Sequence, residues 1–195
     1  MYKPFKRWMD FCIALIGLLC LSPILLIIAL IIKLESKGPV FFRQQRVGKD
    51  KVLFTIYKFR TMRTDAPKDM PTHLLSNPVS FITKSGAFLR KSSLDELPQL
   101  INILIGNMSI IGPRPALWNQ EDLIAERDLY QANSLFPGLT GWAQINGRDE
   151  LPIDVKAKFD GEYVKRISLW FDTQIFFMTI FKVLRSEGIQ EGRQK

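Results

Sequence analysis

The chain has 195 residues, 47% of them hydrophobic, and its 27 basic against 19 acidic residues give a net charge of +8. That length suits one domain plus an added segment, and the basic balance points to anionic partners: acidic lipid headgroups or phosphate-bearing substrates. No RNP, zinc-finger or basic-zipper pattern is present, which argues against nucleic acid. His73 is the sole histidine and lies in a polar stretch, which argues against a histidine triad or a His-rich metal site.

In chain order, the first element is residues 11–32, FCIALIGLLCLSPILLIIALII, an uncharged run. As one helix it would reach about 33 Å, against a hydrocarbon core of about 30 Å. Cys12 and Cys20 sit inside it without metal-ligand spacing and read as small apolar residues. The lack of cysteine elsewhere fits a reducing compartment. The run exceeds a signal-peptide core, and no A-x-A-like site follows it. Ser22-Pro23 lies near its middle; proline has no N–H and clashes with the carbonyl of Leu19, while the Ser22 hydroxyl can satisfy that carbonyl. Two readings follow, a kinked span or a re-entrant helix-break-helix. Hydropathy favours the span. The flanks favour the hairpin, because Lys3, Lys6 and Arg7 before the run and Lys33, Lys37, Arg43 and Arg46 after it would all stay on the cytoplasmic side.

Residues 1–36 therefore form the expected membrane anchor, and 37–195 the expected cytoplasmic-face domain. Gly38-Pro39 stops the helix. Residues 40–47 and 52–59 are β-prone runs joined by Gly48-Lys49-Asp50-Lys51, which predicts a hairpin. Residues 64–80 are polar and contain Pro67, Pro71 and Pro78, predicting a loop long enough to serve as a lid. Helical patterning runs from Phe81 to Ile105, and polar helices are predicted over 118–133 and 153–166. Residues 136–148 (FPGLTGWAQINGR) read as a glycine-rich loop with little regular structure. Residues 168–184 form an apolar helix carrying only Asp172 and Lys182, suited to a core or to a membrane interface. Exposure of Trp170, Phe171, Phe176 and Phe177 would favour the interface. The expected fold is α+β and mostly helical: re-entrant anchor, small hairpin, amphipathic interfacial helices.

The acidic pair Asp95-Glu96 stands out. Its structural explanation is a capping box, with Ser93 at the N-cap and Glu96 three residues on. Its chemical explanation rests on neighbouring cations. Arg90 and Lys91 precede the pair, and Arg114 follows between two prolines that fix its backbone. Lys58, Arg60 and Arg63 end the second predicted strand and Arg148 closes the glycine-rich stretch. Arginine grips phosphate in bidentate fashion. A carboxylate among such groups suits Mg²⁺ binding or attack on phosphorus.

At these motifs the chain resembles the bacterial sugar transferases, in particular the short monotopic (PglC-like) phosphoglycosyl transferases. The likeness is carried by Lys6-Arg7, Ser22-Pro23, Tyr57-Lys58-Phe59-Arg60-Thr61-Met62, Ser93-Leu94-Asp95-Glu96-Leu97-Pro98-Gln99-Leu100, Gly112-Pro113-Arg114-Pro115, the run from Pro137 through Gly147-Arg148, Asp160, and Tyr163-Val164-Lys165. The resemblance implies transfer of sugar-1-phosphate from a UDP-sugar to undecaprenyl phosphate with release of UMP. It implies a membrane enzyme of polysaccharide or other glycoconjugate biosynthesis on the cytoplasmic face of the bacterial cell membrane. It also implies a covalent intermediate on Asp95, Glu96 as its partner, and a Mg²⁺ cofactor held at Asp95. Lys58, Arg60, Arg90, Arg114, Arg148 and Asp160 become candidate phosphate or substrate contacts. Membrane lipids are further expected partners, and homo-oligomer formation is left open. One departure is Asn107, where the family commonly has an acidic residue, so no metal role is assigned there. A phosphohydrolase using the same Asp and a non-enzymatic basic membrane adaptor are the alternatives.

Overall fold

The computed structural model describes residues 2–67, 78–147 and 151–185. A long first helix, α1 (Tyr2–Glu35), is followed by β1 (Phe41–Val47), β2 (Leu53–Phe59), α2 (Lys84–Lys91), α3 (Gln99–Leu104), β3 (Ser109–Ile111), α4 (Glu121–Asp128), β4 (Gly138–Thr140), α5 (Trp142–Ile145), α6 (Ile153–Arg166) and α7 (Leu169–Leu184). The class is α+β and mostly helical, as the sequence predicts.

Helical order in α1 continues through Ser22-Pro23, so the break expected at that pair is absent and Pro23 is carried inside one helix. The carbonyl that Pro23 orphans is satisfied as expected: the Ser22 hydroxyl donates to Leu19 O at 2.8 Å. Most of the helix surface is apolar and exposed, but both ends are tied to the rest of the chain. At the N-terminal end, Lys6 pairs with Asp172 at 2.7 Å and Asp10 accepts from Ser109 Oγ at 2.6 Å. At the C-terminal end, Ile28 and Ile32 pack with Phe59 and Leu89, and Glu35 accepts from the Ser85 amide at 3.1 Å.

β1 and β2 form the predicted hairpin, with register Val47↔Leu53 through Phe41↔Phe59. Its turn places Asp50 and Lys51 at positive φ, 52° and 64°. The predicted lid mostly falls on 68–77, outside the described residues. The helical stretch after Phe81 is divided into α2, a 3₁₀ turn over Leu94–Glu96, and α3. Ser93, at φ 55°, breaks the helical path after α2, and Pro98, which has no amide hydrogen, cannot donate to join the 3₁₀ turn to α3 in one continuous helix.

The glycine-rich segment is more regular than its composition suggests. β4 runs parallel to β3, pairing Ser109↔Gly138 and Ile111↔Thr140, and α5 follows. A Cβ on Gly138 would lie 2.2 Å from the Gly112 amide nitrogen, so two backbones approach where no side chain fits. Gly138 and Gly141 thus serve close packing against the Gly112 backbone, while Gly147 takes positive φ, 146°, beside Leu151. α7 is a two-faced helix. Phe171 (3% exposed) and Ile175 enter the core, while Trp170 (79%) and Phe177 (63%) face outward with Phe176. Three of the four aromatics are thus exposed as an interfacial helix requires, and Phe171 is the exception.

Candidate active site

The acidic pair sits on the 3₁₀ turn between α2 and α3. The capping box does not form. Ser93 takes a left-handed conformation, φ 55°, and its side chain makes no capping hydrogen bond. A non-glycine residue there costs about 1–3 kcal/mol and persists only where its surroundings hold it. What holds it is Leu94, which packs against the cluster of Ile28, Ile32, Phe59 and Leu89. No α-helix N-terminus lies at Asp95 either, because α3 begins only at Gln99.

Glu96 turns inward instead. Its Oε1 accepts from Lys58 Nζ at 2.7 Å and from Arg114 Nη2 at 2.9 Å. The register that brings Lys58 there is set by Asn102, fully buried on α3. Its Oδ1 accepts from the Tyr57 amide at 3.0 Å and its Nδ2 donates to Thr55 O at 2.7 Å, so a helix side chain docks on β2 as a neighbouring strand would. Arg114 is steadied by Arg46, whose guanidinium donates to Pro115 O at 3.0 Å. Asn102 did not stand out in the sequence, and Arg46 did so only as a basic flank of the apolar run. One is a polar residue in an apolar helix and the other a cation in a strand, and only long-range packing gives them a role.

Asp95 behaves differently from Glu96. It is partly exposed, and it makes no hydrogen bond or ion pair among the described residues. Burial, and then the charge of Glu96, push its carboxyl up to about 6, while Lys58, Arg90 and Arg114 pull the other way. Burial also lowers the Lys58 ammonium, which Glu96 opposes. The site thus presents one locked carboxylate and one unclaimed carboxylate within the field of three cations. Such a group is fit to attack phosphorus, with cations ready for the phosphate charge.

The structure therefore gathers Asp95, Glu96, Lys58, Arg90 and Arg114. It does not gather Arg60 or Asp160, and both leave the set of substrate contacts. Arg60 (5% exposed) donates to Ser36 O and Ser36 Oγ, each at 2.8 Å, and to Lys37 O at 3.0 Å, closing the C-terminal end of α1. Asp160 (1% exposed) accepts from Arg127 Nε at 2.8 Å, tying α6 to α4. Arg148 lies outside the described residues. No group of three or more His, Cys, Asp or Glu residues occurs among the described residues, so no all-protein metal cage is present there. The donor set fits the mode usual for Mg²⁺, one carboxylate completed by substrate phosphate oxygens.

The bacterial sugar transferase model matches residues 1–186. The chain is 42% identical over 186 residues to the uncharacterized sugar transferase EpsL of Bacillus subtilis, covering 95% of this chain and 90% of that protein. It is 45% identical over 184 residues to the UDP-glucose:undecaprenyl-phosphate glucose-1-phosphate transferase of Escherichia coli K12, covering 91% of this chain but 39% of that protein. Against the UDP-N-acetylgalactosamine-undecaprenyl-phosphate N-acetylgalactosaminephosphotransferase of Aeromonas hydrophila, identity is 38% over 195 residues, 96% of this chain and 45% of the relative. With the family model matching nearly the whole chain, the protein belongs to the bacterial sugar transferase family.

Proposed function

We propose that the protein transfers the sugar-1-phosphate of a UDP-sugar to undecaprenyl phosphate, releasing UMP, as the first membrane step of glycoconjugate assembly. The observation that carries this reading is the unclaimed carboxylate of Asp95 beside Glu96, Lys58, Arg90 and Arg114. An Asp95 oxygen attacks the sugar-bearing phosphorus. The bond to the bridging oxygen breaks, and UMP leaves with that electron pair. An oxygen of the polyprenyl phosphate then attacks the same phosphorus, the Asp95–phosphorus bond breaks, and the carboxylate is regenerated as polyprenyl-diphosphate sugar departs. Two displacements at one residue spare the enzyme from binding both large substrates at once.

Lys58 and Arg114 are held by Glu96 beside Asp95, where their charge offsets that of the diphosphate as UMP leaves, so Glu96 acts chiefly by positioning them. Arg90, on the last turn of α2, faces Asp95 electrostatically. Mg²⁺ would be held by Asp95 together with substrate oxygens, and when bound it supplies further neutralisation of the diphosphate.

The membrane reading follows from α1. Residues on both sides of its apolar run bind the same folded body, Lys6 and Asp10 before it and Glu35 and Ser36 after it. A helix crossing about 30 Å of hydrocarbon would carry those ends to opposite faces, where one body cannot reach both. A monotopic, re-entrant seating in the cytoplasmic face, with α1 bent at Pro23 and not broken there, is compatible with both sets of contacts and keeps Asp95 at the level of the lipid phosphate. The exposed aromatics of α7 suit that interface.

The test is UMP release from a panel of UDP-sugars with undecaprenyl phosphate and Mg²⁺. Asp95→Asn abolishes release while the protein stays membrane-bound; normal turnover by this variant would remove Asp95 as nucleophile. Release that continues without undecaprenyl phosphate would favour a hydrolase, and none with any sugar nucleotide would favour an adaptor. A reporter fused at Met1 is expected in the cytoplasm, and finding it outside overturns the re-entrant seating.

A further inference from the structure

A second cationic site lies at the foot of α1, away from the dyad. It is a cavity of about 300 Å³ lined by Lys3, Arg7 and Lys49 together with Ser109, Leu135 and Phe136, among others. The Arg7 guanidinium stands 4.2 Å from the centroid of the Phe136 ring, and Lys49 Nζ is 5.1 Å from the same centroid. Two cations brought to one ring repel each other unless an anion joins them. The nearby carboxylates do not fill that role. Asp172 takes Lys6, and Asp10 accepts from Ser109 and the Ile110 amide with Lys6 at 3.8 Å, so Arg7 feels Asp10 only as a charge and makes no ion pair with it. Asp50 pairs with Lys49 at 3.7 Å across an exposed turn. Lys3 and Arg7 make no ion pair among the described residues; the one hydrogen bond Arg7 makes there goes to Met108 O at 2.7 Å.

Depth favours a lipid. Arg7 lies four residues before Phe11, where the apolar run begins, or about 6 Å along the helix, and Lys3, about 6 Å farther out, reaches back toward the same level with its long side chain. The headgroup layer is about 5–8 Å thick on each side of the hydrocarbon. Trp8 and Phe5, both exposed and stacked at 6.5 Å, mark the same level as an aromatic belt does. Leu135 and Phe136 give the cavity an apolar wall beside its cations, matching a ligand with a phosphate head and an acyl stem. The cavity shares no residue with the dyad cluster, and Lys49 at the hairpin tip is on the order of 20 Å along β2 from Lys58. A polyprenyl phosphate held here could not present its phosphate to Asp95.

We propose that this cavity binds the headgroup of one anionic glycerophospholipid and holds the foot of α1 at headgroup depth. The inference rests on the membrane seating of α1, but its test does not depend on topology. Purified full-length protein in detergent is titrated with dioleoyl phosphatidylglycerol or dioleoyl phosphatidylcholine and read by native mass spectrometry. Wild type is expected to retain one phosphatidylglycerol per chain and no phosphatidylcholine. Retention is expected to fall at least tenfold in Arg7→Gln and in the double variant Lys3→Gln/Lys49→Gln, and to survive in Arg7→Lys. The double variant touches only exposed side chains, so its UMP release in detergent should stay within twofold of wild type and report an intact fold. Equal retention by wild type and both variants, or equal retention of the two lipids, overturns the proposal. So does displacement of phosphatidylglycerol by an equimolar amount of undecaprenyl phosphate, which would assign the cavity to the substrate. A Met1 reporter found outside the cell, with lipid retention intact, would instead remove the seating and leave the site.

Discussion

The dyad turn and the foot of α1 are built from the same ingredients, two carboxylates with neighbouring cations, and they use them in opposite ways. At the foot, every carboxylate oxygen is claimed. Asp172 Oδ1 accepts from Tyr163 at 2.7 Å, and Oδ2 accepts from Tyr2 at 2.6 Å and Lys6 at 2.7 Å. Asp10 accepts from Ser109 and the Ile110 amide. Burial, with Asp172 adding to it, raises both tyrosine hydroxyls, so they remain donors. Such a satisfied network joins α1, β3, α6 and α7 and has no valence left for chemistry. At the dyad turn only Glu96 is claimed, and Asp95 is left among cations with its carboxyl raised to about 6. Charge alone does not mark an active site; an unspent acceptor among fixed charges does.

That contrast can be broken at four points. Asp95→Asn should lower UMP release by at least about 10³-fold, as removal of a covalent nucleophile does. The same variant should not unfold the protein. A raised carboxyl makes ionisation costlier in the folded than in the unfolded chain. Asp95 therefore subtracts stability as pH rises from about 4 through 6, and the neutral variant should gain on the order of 1–3 kcal/mol above pH 6 by chemical denaturation. At the foot the expected signs reverse. Asp172→Leu leaves buried Lys6 only its longer 3.8 Å pair with Asp10 and removes the acceptor of Tyr2 and Tyr163, and should cost about 3–5 kcal/mol of stability.

Glu96→Gln tests the positioning role. It should reduce kcat/KM by about 10²-fold. It should also shift the acid limb of the pH–rate profile, expected near 6 in wild type, to lower pH, because the like charge that opposes Asp95 ionisation is gone. An unmoved acid limb would mean that a group other than Asp95 sets it. Arg60→Ala should have the smallest effect. It frees the carbonyls at the end of α1 and should cost about 1–3 kcal/mol, with KM for the UDP-sugar unchanged. A raised KM would return Arg60 to the substrate contacts.

Much of this was legible before folding. The uncharged run with its Ser22-Pro23, the hairpin, and the start of α6 follow from periodicity and turn chemistry, which act over a few residues. The dyad and Arg114 were legible because acid and cation lie close in the chain or beside prolines. Arg60 and Asp160 show where that reading stops. Both are motif residues of the right charge, yet Arg60 points to the end of α1 and Asp160 to Arg127. Ser93 misled in the same way: S-x-x-E permits a capping box, but Leu94 packing and the Glu96 ion pairs outweigh a cap worth about 1 kcal/mol.

Local chemistry by itself determined the β1–β2 hairpin, the membrane-seeking helix and the identity of the acidic pair, because each rests on neighbours within a turn or two of chain. Only the tertiary structure decided which carboxylate of that pair is spoken for. Lys58 lies 38 residues and Arg114 18 residues from Glu96, and their meeting depends on Asn102 docking α3 against β2. The same long-range packing decided that both ends of α1 belong to one body. Contacts of that kind come from burial and register across the whole chain, which no local spacing encodes.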